Sequence, residues 1–182
     1  MPLGHRLTGE QPAAVLKHAS PRTRSRVGRA SDASRAPVVA VASLGVEARF
    51  KSSRDPLPAP VVAFRRRIED AAALLICTPE YAGGLPGSFK NLLDWTVGGI
   101  EIGDKPTAWI NVSASLTKAA NAHESLRLVL GYTGAAIVEE ACVHLPVRPE
   151  MIGPDGVITD EDVRQGISRS LAALSARCAV ST

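Results

Sequence analysis

Beyond residue 37 the chain alternates between two hydrophobic rhythms. Short, continuously apolar runs recur at VVAVAS (residues 38–43), LLICT (74–78), TAWINVS (107–113) and AAIVEEACV (135–143). Runs of this length without polar alternation predict strands covered on both faces, as in a parallel sheet. Between them the spacing becomes that of an amphipathic helix. Within residues 61–73, Val61, Phe64 and Ile68 fall at i, i+3 and i+7, with Arg65, Arg66, Arg67, Glu69 and Asp70 mostly on the other face. A second helix follows Pro86, a residue suited to a first turn, with Phe89, Leu92, Leu93 and Thr96 as its inner stripe and Gly98 and Gly99 at its end. A third opens at Asn121, where Glu124 three residues on suggests a capping box, turns Leu126, Val129 and Leu130 inward, and closes at Gly131 or Gly134. The last, with Thr159 and Asp162 as its capping pair, carries Val163, Ile167, Leu171 and Leu174.

Strands alternating with helices predict an α/β fold: a doubly wound parallel sheet in three α/β/α layers, its first strand uncertain. In such sheets ligands bind beyond the carboxyl ends of the strands. Two loops lie there. TPEYAGGLPGSFKNLLDW (78–95) leads from the second apolar run into a helix, and SASLTKAAN (113–121) leads from the third. In the first, Pro79 stiffens the exit from the strand, while Gly83 and Gly84 permit positive φ and close backbone approach to a flat ligand. The unpaired N–H groups of the following helix add partial positive charge. In the second, Ser113, Ser115 and Thr117 supply hydroxyls. Plainer readings stand beside these: a Gly-Gly pair that is only a turn, Glu80 as a solvated carboxylate, Tyr81 covering a sheet edge. Trp95, Trp109 and His144 read as structural, Lys118 as exposed, and His123 has no Ser or Cys partner at readable spacing.

Residues 1–37 follow neither rhythm. A short helix is predicted over about residues 8–18, and an irregular Ser/Arg/Ala/Pro/Gly tract over 19–37. The charge is uneven too. This segment holds seven Lys or Arg against Glu10 and Asp32, a local +5 within a net +3, so residues 38–182 sum to −2. The basic character belongs to an N-terminal arm. Nucleic-acid binding through it is not expected, because no aromatic residue interleaves the arginines and no binding motif appears. Hydrophobic residues make up 45% of the chain, which excludes a disordered or fibrous class. No apolar run reaches the length of a membrane span, and no continuous apolar segment follows Arg6, Lys17 and Arg22 as a secretory leader would need. Cys77, Cys142 and Cys178 lie far apart, predicting free thiols in a reducing cytoplasm and no metal site.

PEYAGGLPGSFKNLLDW resembles the signature of the NADPH-dependent FMN reductase family, the flavodoxin-like quinone, azo-dye and chromate reductases. The shared features are a Pro-Glu-Tyr loop, a Pro-Gly pair and a Lys-Asn-x-x-Asp-Trp helix. The likeness continues through the loop at Ser113, SLRLVLGYTGA (125–135) and DGVITDEDVRQGI (155–167). It implies a flavodoxin-like domain over residues 38–182, N-terminally incomplete. It also implies FMN with its ring against Pro79, Glu80, Tyr81, Ala82 and Gly83, flanked by Ser113 and Ser115, and no side-chain acid or base. Hydride would pass from NAD(P)H, NADPH in the family's name, to the flavin and on to a quinone-like or other small electron acceptor. The resemblance further implies a homodimer or homotetramer, with Leu92, Leu93 and Trp95 partly at the contact. Two departures stand out. Residues 1–37 occupy the place of the family's first strand and Gly-Ser phosphate loop, and Ala82 replaces an asparagine common after the tyrosine. They leave as alternatives a degenerate flavodoxin-like protein with weak or no flavin binding, and a basic-armed module for a polyanion.

Overall fold

A computed structural model describes residues 56–115 and 117–180. The predicted arm and the strand at 38–43 lie outside them. Among the described residues the order is α1 (Ala59–Asp70), β1 (Leu74–Ile76), α2 (Gly87–Asp94), β2 (Pro106–Asn111), α3 (Ala120–Tyr132), β3 (Ala136–Ile137), β4 (Val143–His144) and α4 (Glu161–Val180). Every strand pairing is parallel. β2 is the spine of the sheet and is buried along its whole length. β1 aligns Leu74 with Thr107 and Ile76 with Trp109. β3 and β4 pair with β2 at successive registers, Thr107 with Ile137 and Ile110 with Val143.

The side-chain period of two sends neighbouring strand residues to opposite faces. Leu74 and Trp109 pack with Phe64 and Ile68 of α1, Leu92 and Leu93 of α2, and Leu126 and Leu130 of α3. Leu75, Ala108 and Ile110 pack instead with Val163, Ile167 and Leu174 of α4. Three helices thus cover one face and one covers the other, giving the expected doubly wound, three-layer arrangement. The apolar stripes foreseen on α1 and α2 are buried except for the half-buried Phe89, and they include Thr96, whose hydroxyl donates to the Leu93 carbonyl at 2.7 Å. Leu92, Leu93 and Trp95 lie in the core of the chain itself, so an interfacial role for them is corrected to a structural one.

Local chemistry closes the elements. Lys105 Nζ donates to the Glu69 and Ala71 carbonyls at 3.0 and 2.6 Å and so caps the C-terminus of α1. Arg65 meets the carboxylate of Glu101 as a two-bond fork at 2.8 and 3.0 Å, tying α1 to the segment after α2. Gly99 makes room for this pair, since a Cβ there would stand 1.4 Å from Arg65 Nη2. On the other face, Gly166 lets α4 approach the sheet, because a Cβ there would stand 2.5 Å from Leu145 Cδ2.

Three predicted details are corrected. The run at 135–143 is not one strand: a 3-10 turn over Glu139–Ala141 divides β3 from β4. The two adjacent acidic residues explain it, because both are exposed and Glu139 pairs with Arg127 outside the sheet. α4 is capped by Asp160, whose carboxylate accepts from the Val163 N–H at 3.0 Å, while the Thr159 hydroxyl turns back to the Met151 carbonyl. α3 has no capping box: its N-cap position is Ala119, left-handed at φ 66, with no side-chain cap of its own.

Candidate functional site

The carboxyl ends of β1, β2 and β4 share one edge of the sheet, and the predicted loops leave from the first two. After β1, residues 81–84 form a tight turn. Tyr81 and Gly84 exchange both backbone hydrogen bonds, at 3.0 and 3.1 Å, and the two residues between them have positive φ, 50° at Ala82 and 77° at Gly83. Two consecutive positive φ angles mark a type I′ turn. The Ala82 and Gly83 N–H groups make no hydrogen bond among the described residues. Tyr81 is 57% exposed.

After β2, the chain turns at Ser113 and is held from two sides. The Asn111 carboxamide oxygen accepts from the Ser113 N–H at 2.9 Å, and His144 Nε2–H donates to the Ser113 carbonyl at 2.8 Å. The Ser113 hydroxyl oxygen in turn accepts from the Ser115 N–H at 3.4 Å, and the Ser115 and Thr117 hydroxyls lie 3.3 Å apart. Asn111 Nδ2 reaches the Lys118 carbonyl at 3.4 Å, which closes the loop on itself. Lys118 is exposed, as expected.

The two loops meet through Glu80. Its carboxylate accepts from the Ala122 N–H, the third in α3, at 3.1 Å across 42 residues of chain. Glu80 is therefore not a solvated loop carboxylate. Gly83 approaches the same helical turn, where a Cβ on it would lie 4.0 Å from Asn121 Nδ2. Next along α3, His123 is buried under the second loop. Its Nδ1–H donates to the Ala119 carbonyl at 2.6 Å, and its ring lies 6.2 Å from that of Trp109. Nε2 is buried without a partner. Burial lowers the His123 pKa from its ordinary 6.5, with the nearby His144 acting in the same direction, so the ring is held neutral. Burial likewise raises the pKa of Cys77, at the end of β1, which keeps it a thiol.

The structure thus brings Glu80, Tyr81, Ala82 and Gly83 to the same edge as Ser113 and Ser115. Sequence reasoning missed Asn111, which holds the second loop, and read His144 as structural without its contact to that loop. A signal existed for Asn111, a polar residue ending the apolar run TAWIN; His144 carried none, because only the sheet brings it to Ser113. Among the described residues no group of three or more His, Cys, Asp or Glu could hold a metal ion, and no helix is long and apolar enough to cross a membrane.

A planar, electron-rich heterocycle is the kind of group this donor set fits. The turn presents two free amides, and a Cβ at Gly84 would meet nothing within 4 Å, so the space beside it is open. Fold and loops together define a doubly wound α/β protein with a ligand site on the carboxyl edge of its sheet. Residues 14–149 match the NADPH-dependent FMN reductase family, and the chain belongs to it. The match begins inside the basic segment, further toward the N-terminus than the motifs themselves reach. A 2-hydroxy-1,4-benzoquinone reductase from a Burkholderia species is 36% identical over 106 residues, 57% of this chain and 58% of that protein. An NAD(P)H-dependent FMN reductase of Pseudomonas aeruginosa is 31% identical over 119 residues, 64% of each chain. Among solved structures, the flavoenzyme NAD(P)H:(acceptor) oxidoreductase FerB of Paracoccus denitrificans is 29% identical, with a TM-score of 0.59 over 66% of this chain and 68% of that one. The chain thus spans 58% and 64% of the length of these two curated relatives.

Proposed function

We propose that this chain is an FMN-dependent NAD(P)H oxidoreductase that delivers electrons to a quinone-like acceptor. The observation that carries the reading is the type I′ turn at residues 81–84, whose two central amides make no hydrogen bond among the described residues. Bound FMN would supply the hydride relay between a nicotinamide and the acceptor. The protein's own contribution is binding and orientation. The Ala82 and Gly83 amides donate to the electron-rich edge of the ring system, and Pro79, Glu80 and Tyr81 shape the surface against which it lies. Ser113 and Ser115 flank the opposite side on a loop whose backbone Asn111 and His144 immobilise. No side chain is needed as acid or base: the Glu80 carboxylate is committed to α3 and the His123 Nδ1–H to Ala119. The name of the benzoquinone reductase among the relatives supports the same acceptor class.

The reading extends to assembly and place. Ile100, Leu128 and Tyr132 are large apolar side chains exposed on the chain, which favours a homodimer or homotetramer. Cys77, Cys142 and Cys178 form no disulfide among the described residues, which suits the cytoplasm. The family match begins at residue 14, so only the first part of the basic arm, residues 1–13, is proposed as separate from the reductase domain. Purified protein incubated with excess FMN and desalted should keep a flavin absorption spectrum and then oxidise NADPH only when a quinone is supplied. A colourless protein at every FMN concentration sinks the reading.

A further inference from the structure

α3 begins badly on local grounds. Its N-cap position is Ala119, and alanine is among the poorest N-cap residues because it has no side-chain acceptor for the orphan N–H groups of the first turn. The missing acceptor comes from elsewhere: Glu80 Oε2 takes the Ala122 N–H, the bond that a capping side chain at the helix's own start would accept. A carboxylate at a helix N-terminus is also favoured by the helix dipole. The acceptor lies one residue before Tyr81, which opens the amide-presenting turn. The helix it caps begins directly after the second loop, whose far end Asn111 already holds through Lys118. A closed circuit results: turn, Glu80, first turn of α3, second loop, Asn111 and His144, and back to the sheet.

The geometry points to Glu80 as a positioning residue, a tether that sets the distance and angle between the two halves of the proposed flavin site by capping α3 in trans. The role rests on the functional reading above, but the tether can be observed without any flavin. Each loop leaves a different strand, so neither alone fixes its partner's position. A ligand gripped between them binds best when that geometry exists beforehand.

The test uses the full chain, isotopically labelled and free of FMN, as wild type, Glu80→Ala and Glu80→Gln. Amide hydrogen exchange reads the tether: Ala122 should lose about tenfold of its protection in Glu80→Ala, in line with the loss of a cap. Ala108 and Leu126, in the core, should stay protected and report an intact fold. Glu80→Gln keeps an acceptor oxygen and should restore most of the Ala122 protection. FMN affinity, read by quenching of flavin fluorescence, should weaken about tenfold in Glu80→Ala and recover in Glu80→Gln. Unchanged Ala122 protection in Glu80→Ala overturns the tether. Lost protection with unchanged FMN affinity overturns its positioning role. If wild type binds no FMN at all, the flavin reading fails, and Ala122 exchange alone then decides for or against the tether.

Discussion

Ala82 and His123 show how single residues at this edge carry conformational and electrostatic loads that their neighbours impose. Ala82 occupies the left-handed region at φ 50, where a Cβ crowds the following carbonyl and which asparagine and glycine tolerate better. The departure from the family's asparagine therefore has a backbone consequence as well as a lost side chain. Ala82→Asn should raise stability by about 1 kcal/mol, seen as a higher urea midpoint with an unchanged slope. His123 carries the opposite kind of load. Its neutral ring is stable in the folded chain, whereas the unfolded chain takes up a proton near the ordinary value of 6.5. Below that pH the unfolded state binds more protons, so stability must fall as pH falls, by at most about 1.4 kcal/mol per pH unit for one group. Thermal melts should show this slope beginning just below pH 6.5 in wild type and shallower in His123→Gln, which has no ring to protonate.

At the scale of elements, the edge formed by β3 and β4 decides how α4 sits. The 3-10 turn between the strands takes its residues out of the sheet, and the fully buried Ser170 of α4 donates its hydroxyl to the Ala141 carbonyl there at 2.6 Å. Ser170→Ala keeps the helix but orphans a carbonyl buried beneath it. The expected cost is about 1–3 kcal/mol, measurable by chemical denaturation. An undiminished unfolding free energy would mean that water replaces the lost partner. The four described helices were readable from the sequence because i, i+3, i+7 spacing survives packing: Val61, Phe64 and Ile68 are all buried. Their caps were misread. Thr159 and Asn121 have the right chemistry at the right offset, yet a neighbouring aspartate and a distant glutamate are the side chains that reach the first-turn amides.

For the whole molecule, the proposed ligand should act as a clamp across the three strand ends. Anything that binds the folded chain alone stabilises it by mass action, so FMN at a hundredfold its dissociation constant should add about 2.7 kcal/mol and raise the melting temperature accordingly. Riboflavin offers the ring without the phosphate. Comparing the two shifts would separate what the described edge contributes from what the rest of the chain adds. The sequence by itself determined the alternation of apolar runs and amphipathic helices, the parallel sheet that alternation requires, and the Pro-Glu-Tyr loop with its glycines at a strand's carboxyl end. These are local patterns, set by side-chain period and by the few residues that tolerate positive φ. Tertiary structure alone decided that Glu80 ends on the first turn of α3 and that His144 reaches back to Ser113. Each of those contacts joins residues far apart in the chain, and no local spacing encodes them.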